Sequence, residues 1–141
     1  MAQSSGRPLS PHLSIWRWGP AMLVSILHRA TGDGMAVIGG ILLVLWLLSL
    51  AGGPESYAVF QAWVWSGEEG NLAQFWTNIL GKIVLVGLSW AFFQHMCSGL
   101  RHFVLDIGAG YEVDTNNRWS MALPAISVVL TAAFWAAICY F

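Results

Sequence analysis

Three long apolar stretches occur along this chain, and polar or charged segments separate them. The first stretch consists of two blocks, Pro20–Leu27 and Met35–Ala51; the second is centred on Ile83–Leu100, and the third is Met121–Phe141. The block Met35–Ala51 has 17 residues, and a helix of that length measures about 25 Å, nearly the thickness of the hydrocarbon core of a bilayer. The pattern therefore predicts an all-α membrane protein with three transmembrane helices in a bundle.

Polar segments and prolines set the expected boundaries of these helices. We expect three helices, at about 20–51, 78–106 and 120–141. Residues 1–19 are polar and contain prolines, so they should form a loose cytoplasmic arm. Residues 52–77 include acidic residues and a proline but no basic residue, and we expect them to form an aqueous loop on the opposite side. The whole chain, 1–141, is expected to form one transmembrane domain.

The composition agrees with a membrane location. Hydrophobic residues make up 57% of the chain and charged residues only 9%, whereas ordinary soluble domains are about 25% charged. The formal net charge of -1 gives no indication of a nucleic-acid partner. Lipid is therefore the expected surrounding of this protein.

Basic residues predict the orientation of the helices. An N-terminus on the inner side places most of the basic residues on that side, namely Arg7, Arg17, Arg29, Arg101 and Arg118. Only Lys82 then lies on the outer side. Because cytoplasmic segments of membrane proteins carry an excess of Lys and Arg, we expect the N-terminus inside and the C-terminus outside.

The first helix is longer than a bilayer requires. A helix over 20–51 would measure about 48 Å, against a hydrocarbon core of about 30 Å. The segment Pro20–Leu27 should therefore project beyond the lipid on the side of His28 and Arg29. Since an apolar helical turn in water is unfavourable, we expect another protein to cover this segment.

The end of the second apolar stretch contains the candidate chemistry. It includes five polar or ionisable residues, Gln94, His95, Arg101, His102 and Asp106. Such groups are costly at membrane depth, so they usually mark a site or a buried partner. His95 and His102 are seven residues apart, which places them on one helix face about 10 Å from each other. Gly99 lies one turn from His95, where the missing side chain would give a flat ligand such as haem access to the backbone.

The predicted topology brings the first helix to the same depth. Ser25 and Arg29 are four residues apart and share a face of that helix, and His28 is three residues from Ser25. Together with the polar residues of the second helix, they form a group in the inner half of the membrane. Two helices that place polar groups at one depth indicate a site more strongly than any single residue does.

Simpler interpretations stay open for several of these residues. His95 is either a hydrogen-bonded histidine between helices or, with Gly99 beside it, a haem ligand. His102 can simply pair with Asp106, which lies one turn away. Arg101 is either a positively charged anchor at the inner face or a partner for a haem propionate.

Three sequence motifs indicate a family. They are RPLSPHLSIW at Arg7–Trp16, SILHRATG at Ser25–Gly32 and HMCSGLRHFVLD at His95–Asp106. With these motifs in this order and at these separations, the chain resembles the membrane-anchor cytochrome b subunits of succinate dehydrogenase, the respiratory complex II. Trp16 stands where that family usually has a tyrosine.

The resemblance implies a role for each matching residue. His95 would be an axial ligand of haem b, and the other ligand would come from a second, sister anchor subunit. His28 and Arg29 would lie near the haem propionates, and Ser25 and Arg29 would help to bind ubiquinone beside the iron–sulfur subunit. Succinate would be oxidised in a flavoprotein subunit, so this chain would not be catalytic alone.

The remaining interpretations belong to other functional classes. The chain could be the anchor of a quinol:fumarate reductase, another membrane cytochrome b, or a structural membrane subunit without a cofactor. Its N-terminal arm has too few arginines to resemble a mitochondrial presequence. We therefore expect a bacterial inner membrane rather than a mitochondrial one.

Overall fold

The computed structural model describes residues 17–67 and 71–140. All regular secondary structure in these two ranges is helical: α1 (Pro20–Gly34), α2 (Gly40–Ala51), α3 (Pro54–Val64), α4 (Leu72–Asp106) and α5 (Val113–Tyr140). A π-helical segment, Met35–Gly39, joins α1 to α2 without interrupting the helix. The first motif, Arg7–Trp16, and most of the predicted cytoplasmic arm lie outside the described residues.

Three helical stretches are long and apolar enough to cross a membrane, and they are Pro20–Ala51, Leu72–Asp106 and Val113–Tyr140. α1 packs against both α4 and α5, and α4 packs against α5 along its length, so the three stretches form a bundle. The structure thus confirms the prediction of an all-α protein with three transmembrane helices.

α4 and α5 both begin earlier than the hydropathy pattern predicts. α4 begins at Leu72 because the side chain of Asn71 accepts a hydrogen bond from the backbone N–H of Gln74 at 3.2 Å and so caps the helix. α5 begins at Val113, and Asp114 lies in its first turn, where a carboxylate interacts favourably with the helix dipole. Hydropathy indicates where a helix enters lipid. The first turns of α4 and α5 are more polar, and they extend each helix outside the apolar stretch.

The predicted aqueous loop contains a helix. The backbone of Gly53 has a positive φ of 87°, which ends the preceding helix, and Pro54 occupies the first position of α3, where proline is well tolerated. α3 packs on both α2 and α4. The segment between the first two spans is therefore a packed element of the fold.

Two residues of α4 hold the end of α3. Asn78 is buried; its Nδ2 donates to the carbonyl oxygen of Ala62 at 2.8 Å, and its Oδ1 accepts from the backbone N–H of Gly67 at 2.5 Å. Gly81 lies against the backbone of Val64, and a Cβ atom at Gly81 would collide with the carbonyl oxygen of Val64. The amide of Asn78 thus holds the end of α3, and the missing side chain at Gly81 lets the backbones of α3 and α4 approach closely.

The interior of the bundle is more polar than its surface. Among the described residues, only three hydrophobic residues are buried, against nine polar or charged ones. Several buried hydroxyl groups donate to a carbonyl of their own helix, as Ser120 does to Asn116 at 2.7 Å. In lipid, small polar residues let helices pack closely while large apolar side chains face outwards. This distribution is typical of a protein surrounded by hydrocarbon.

Candidate functional site

Three histidines meet where α1 contacts α4, and we call them the histidine cluster (His28, His95 and His102). The imidazole rings of His28 and His95 stack with their centroids 3.9 Å apart and their planes 11° from parallel. The ring of His102 lies edge-on to that of His28, with the centroids 5.3 Å apart. The structure therefore brings together side chains of the two helices that the sequence predicted to share one depth.

The backbone of α1 fixes the tautomer of His95. The Nδ1 atom of His95 lies 3.0 Å from the carbonyl oxygen of His28. Because a carbonyl oxygen only accepts hydrogen bonds, Nδ1 carries the proton and donates it. Nε2 of His95 then keeps its lone pair, which is the form of imidazole that binds a metal.

A buried serine holds the ring of His28. The hydroxyl oxygen of Ser98 lies 2.7 Å from Nδ1 of His28, and the Ser98 side chain is 0% exposed. This hydroxyl also lies 2.7 Å from the carbonyl oxygen of Gln94 and 3.1 Å from that of His95, so its single hydrogen has two backbone acceptors. With that hydrogen on a carbonyl, the Ser98 oxygen is the acceptor for Nδ1 of His28. Both rings of the stacked pair thus have a hydrogen-bond partner at Nδ1.

Two glycines border the stacked histidines. A Cβ atom at Gly32 would lie 2.9 Å from Cε1 of His95, too close for the ring to stay in its place. A Cβ atom at Gly99 would lie 3.9 Å from Cε1 of His28, an ordinary van der Waals contact. Sequence reasoning selected Gly99 and passed over Gly32, although Gly32 is the last residue of the second motif. Close approach to the helix backbone is thus required at Gly32.

Ser25 and Arg29 lie on the outer surface of α1. Both side chains are exposed, and the neighbouring apolar side chains of Met22, Leu23 and Ile26 are exposed as well. A hydroxyl group and a guanidinium group therefore stand in an apolar surface one helical turn apart. Such a surface can bind a molecule that is largely apolar and has hydrogen-bond acceptors.

Arg101 is buried inside the bundle, with only 7% of its surface exposed. Its Nη2 donates to the side-chain oxygen of Asn116 on α5, and its buried Nε has no hydrogen-bond partner within the described residues. The interpretation as an exposed anchor does not fit this burial. His102 and Asp106 are both exposed, and no ion pair joins them in the described part of the chain.

Gln94 joins α4 to α5 next to His95. It is fully buried, and its Oε1 accepts a hydrogen bond from the hydroxyl of Ser127 at 2.8 Å. Its Nε2 has no partner among the described residues. The sequence indicated a polar residue at this depth but not its partner, because the contact depends on how α5 packs.

An apolar groove adjoins the histidine cluster. It has a volume of about 340 Å³, and small residues of α1 and α4 line it, among them Ala30, Gly34, Gly87 and Ala91. Thr31 also lines the groove, and its hydroxyl lies 3.5 Å from Nδ1 of His95. The groove therefore borders the His95 ring through Thr31, on the side of the ring that carries Nδ1.

The residues of this site fit a porphyrin-bound iron better than a metal ion on its own. Within residues 17–67 and 71–140, no group of three or more His, Cys, Asp or Glu side chains could hold a metal ion. Iron in a porphyrin needs only an axial nitrogen from the protein, and Nε2 of His95 can provide it. The apolar groove next to Thr31 is a surface of the kind that the face of such a ring requires.

Comparison with known proteins decides the family. The sequence model of the succinate dehydrogenase/fumarate reductase transmembrane subunit matches residues 3–134. The chain belongs to this family. This membership confirms the resemblance predicted from the three motifs. The second motif contains His28, and the third contains His95.

Individual members of the succinate dehydrogenase/fumarate reductase family are similar over most of the chain. The succinate dehydrogenase cytochrome b556 subunit of Paracoccus denitrificans is 39% identical over 124 residues, which cover 88% of this chain and 85% of that protein. The corresponding subunit of Rickettsia felis is 34% identical over 129 residues, 92% and 90% of the two chains. The mitochondrial cytochrome b560 subunit of Mus musculus is 38% identical over 112 residues, 78% of this chain and 59% of that protein.

Proposed function

We propose that this chain is the haem b-binding membrane anchor of a succinate:quinone oxidoreductase, and that Nε2 of His95 is the axial ligand it contributes. The observation that carries the proposal is the hydrogen bond from Nδ1 of His95 to the carbonyl of His28 at 3.0 Å. Metal-binding histidines usually donate their other ring N–H in this way. Relatives that are named cytochrome b556 subunits support the assignment. Haem, when bound, supplies a one-electron redox centre.

The second axial ligand is proposed to come from a sister anchor subunit. Two imidazoles that bind one haem iron stand tip to tip across the porphyrin plane, one on each face. The rings of His28 and His95 are instead stacked face to face at 3.9 Å, so they do not offer nitrogens to opposite faces of one ring. His28 is therefore a neighbour of the ligand, on the side where the haem propionates are expected, and the opposite ligand belongs to another chain.

Ser25 and Arg29 are proposed to form part of the ubiquinone site. Their side chains are exposed on α1 at the end of the span, within an apolar surface. A serine hydroxyl can donate to a quinone carbonyl, and a guanidinium group stabilises negative charge that develops on the quinone oxygen during reduction. The iron–sulfur subunit would cover this surface and deliver electrons from the flavoprotein subunit, where succinate is oxidised.

The proposed location is a bacterial inner membrane with the N-terminus inside. Basic residues concentrate on the side of the histidine cluster, and the relatives from Paracoccus and Rickettsia are bacterial proteins. The family description also includes fumarate reductase, so a quinol:fumarate reductase anchor is the second candidate. The ratio of succinate oxidation to fumarate reduction in the purified complex separates the two candidates.

The haem assignment is tested by replacing His95 in the assembled complex. We expect His95→Ala to abolish the reduced-minus-oxidised absorption bands of b-type haem in purified membranes, because the iron loses an axial nitrogen. Phe103→Ala is the control, since Phe103 is an exposed ring on the same helix and lies outside the histidine cluster; it should keep the haem. Unchanged bands in His95→Ala complex would reject the assignment.

A further inference from the structure

We propose that Ser98 is a positioning residue for the haem ligand: it holds the ring of His28, and that ring in turn sets the plane of His95. The inference rests on the proposed role of His95 in haem binding. The Ser98 hydroxyl oxygen lies 2.7 Å from Nδ1 of His28, and this contact joins α4 to α1 inside the bundle.

The hydrogen bonds of Ser98 differ from those of other buried serines in this bundle. Ser120 is 1% exposed and donates to the carbonyl of Asn116 at 2.7 Å, a bond within its own helix. Ser98 makes the equivalent bond to the carbonyl of Gln94 at 2.7 Å, and its oxygen also accepts from His28. The internal bond would satisfy the hydroxyl by itself. The additional bond therefore acts on the histidine.

His95 is held on several sides, and His28 provides two of the contacts. The carbonyl of His28 accepts from Nδ1 of His95 at 3.0 Å, and the ring of His28 covers one face of the His95 ring at 3.9 Å. The backbone of Gly32 approaches the edge of the same ring near Cε1. The helix fixes the carbonyl, but the ring of His28 can rotate about its side-chain torsions. Among the described residues, Ser98 is the side chain that hydrogen-bonds to this ring and so restrains its rotation.

The expected consequence is a change in the electronic properties of the haem. A well-aligned hydrogen bond at Nδ1 raises the basicity of the ligand nitrogen, which favours ferric over ferrous iron. If the ring of His28 is released, His95 can tilt and its bond to the carbonyl weakens. The midpoint potential of the haem should then rise, and the orientation of the ligand plane should become less uniform.

The test compares Ser98→Ala with Ser120→Ala in the complete complex. Ser98→Ala removes the bond to His28, and Ser120→Ala removes a buried hydroxyl that bonds only within its helix. We expect Ser98→Ala to raise the midpoint potential in a redox titration and to broaden or shift the low-spin ferric EPR signal. Ser120→Ala should match the wild-type complex in both. Unchanged signals in Ser98→Ala, or equal shifts in the two variants, would overturn the proposal.

A second pair of variants separates the hydroxyl from the shape of the side chain. Thr and Val have the same shape, but only Thr can hydrogen-bond to His28. The proposal expects Ser98→Thr to have a potential closer to the wild type than Ser98→Val, and equal potentials in the two variants contradict it. Failure of the proposed function has a different signature, namely haem bands that persist in His95→Ala whatever residue 98 is.

Discussion

His95 obtains its hydrogen-bond acceptor from the backbone of another helix and not from a side chain. A helix carbonyl has a fixed position, so the contact with His28 at 3.0 Å sets the tautomer of His95 independently of side-chain rotamers. The ring orientation is less constrained, because it depends on the stacked His28 ring and, through it, on Ser98. Two separate properties of this imidazole, its tautomer and the plane of its ring, thus have separate origins in the structure.

The charge of Arg29 is predicted to matter for quinone reduction alone. We expect Arg29→Ala to lower quinone-linked turnover of the complex by roughly tenfold to a hundredfold, because a charge-assisted hydrogen bond contributes about 1.5–3 kcal/mol. Succinate oxidation with a soluble artificial electron acceptor should stay near the wild-type rate, since that reaction bypasses the anchor. Both rates are measured on the same purified sample.

The control for Arg29 is Arg118, another exposed arginine expected on the inner side. Arg118→Ala removes the same charge away from Ser25 and should leave both rates unchanged. A parallel loss of both activities in the Arg29 variant would mean that the residue supports assembly and does not bind quinone.

Ionisable residues of the site could be predicted from the sequence, whereas small and neutral ones could not. His95 and Arg101 are conspicuous in an apolar stretch because burial of such groups is costly. Ser98 and Gly32 are common residue types in membrane helices, and nothing in their local sequence reveals a contact with an imidazole. Their roles depend on the α1–α4 contact, which only the folded structure supplies.

At the scale of elements, α3 is attached to α4 by a contact that tolerates no side chain. Gly81 faces the carbonyl of Val64, and we expect Gly81→Ala to destabilise the subunit by about 1–3 kcal/mol, the usual cost of overpacking. The readout is the thermal unfolding of the purified complex. The end of the bundle that carries α3 should loosen first, because the substitution weakens the contact between α3 and α4.

Gly40 provides the control for this substitution. It is the first residue of α2, outside the groove beside the histidine cluster, and a Cβ atom there would meet nothing within 4 Å. Gly40→Ala should therefore be neutral or slightly stabilising, since alanine is the better helix former. Equal effects of the two substitutions would show that α3 does not press against α4 at Gly81.

The spans could be predicted from hydropathy, but the shorter elements could not. Apolar runs of sufficient length define the three membrane crossings. α3 is short and of mixed polarity, and it is held by the buried side chain of Asn78, which the sequence suggested only as the start of a span. The π-helical segment Met35–Gly39 lies within a uniformly apolar run and gives no signal in its residue types.

The whole molecule presents an apolar surface over most of its length, and two kinds of surroundings are needed to cover it. Hydrocarbon covers the spans, as expected for helices with a polar interior. We expect the first turns of α1 to extend beyond the length that a bilayer covers, and Met22, Leu23 and Ile26 are exposed there. A protein neighbour is therefore predicted at this end of the molecule.

Protection from proteolysis is predicted to depend on that neighbour. In the assembled complex, the segment Pro20–Leu27 should resist a non-specific protease, whereas in the isolated chain in detergent it should be cleaved. Cleavage near Ser66, in the segment between α3 and α4, should be similar in both samples. Mass spectrometry of the fragments locates the cuts, and equal protection of Pro20–Leu27 in both samples would contradict a protein cover.

The π-helical segment lets the first span absorb one extra residue without rotating the site. Each residue of an α-helix turns the chain by about 100°, and a π-helical turn accommodates one residue more than an α-helical turn does. Deleting one residue from Met35–Gly39 would convert the segment to α-helix, and Ser25, His28 and Arg29 would keep their angular position relative to α2. A one-residue deletion within α2 has no such turn to absorb it, so it would rotate these three side chains by about 100° relative to the end of the span.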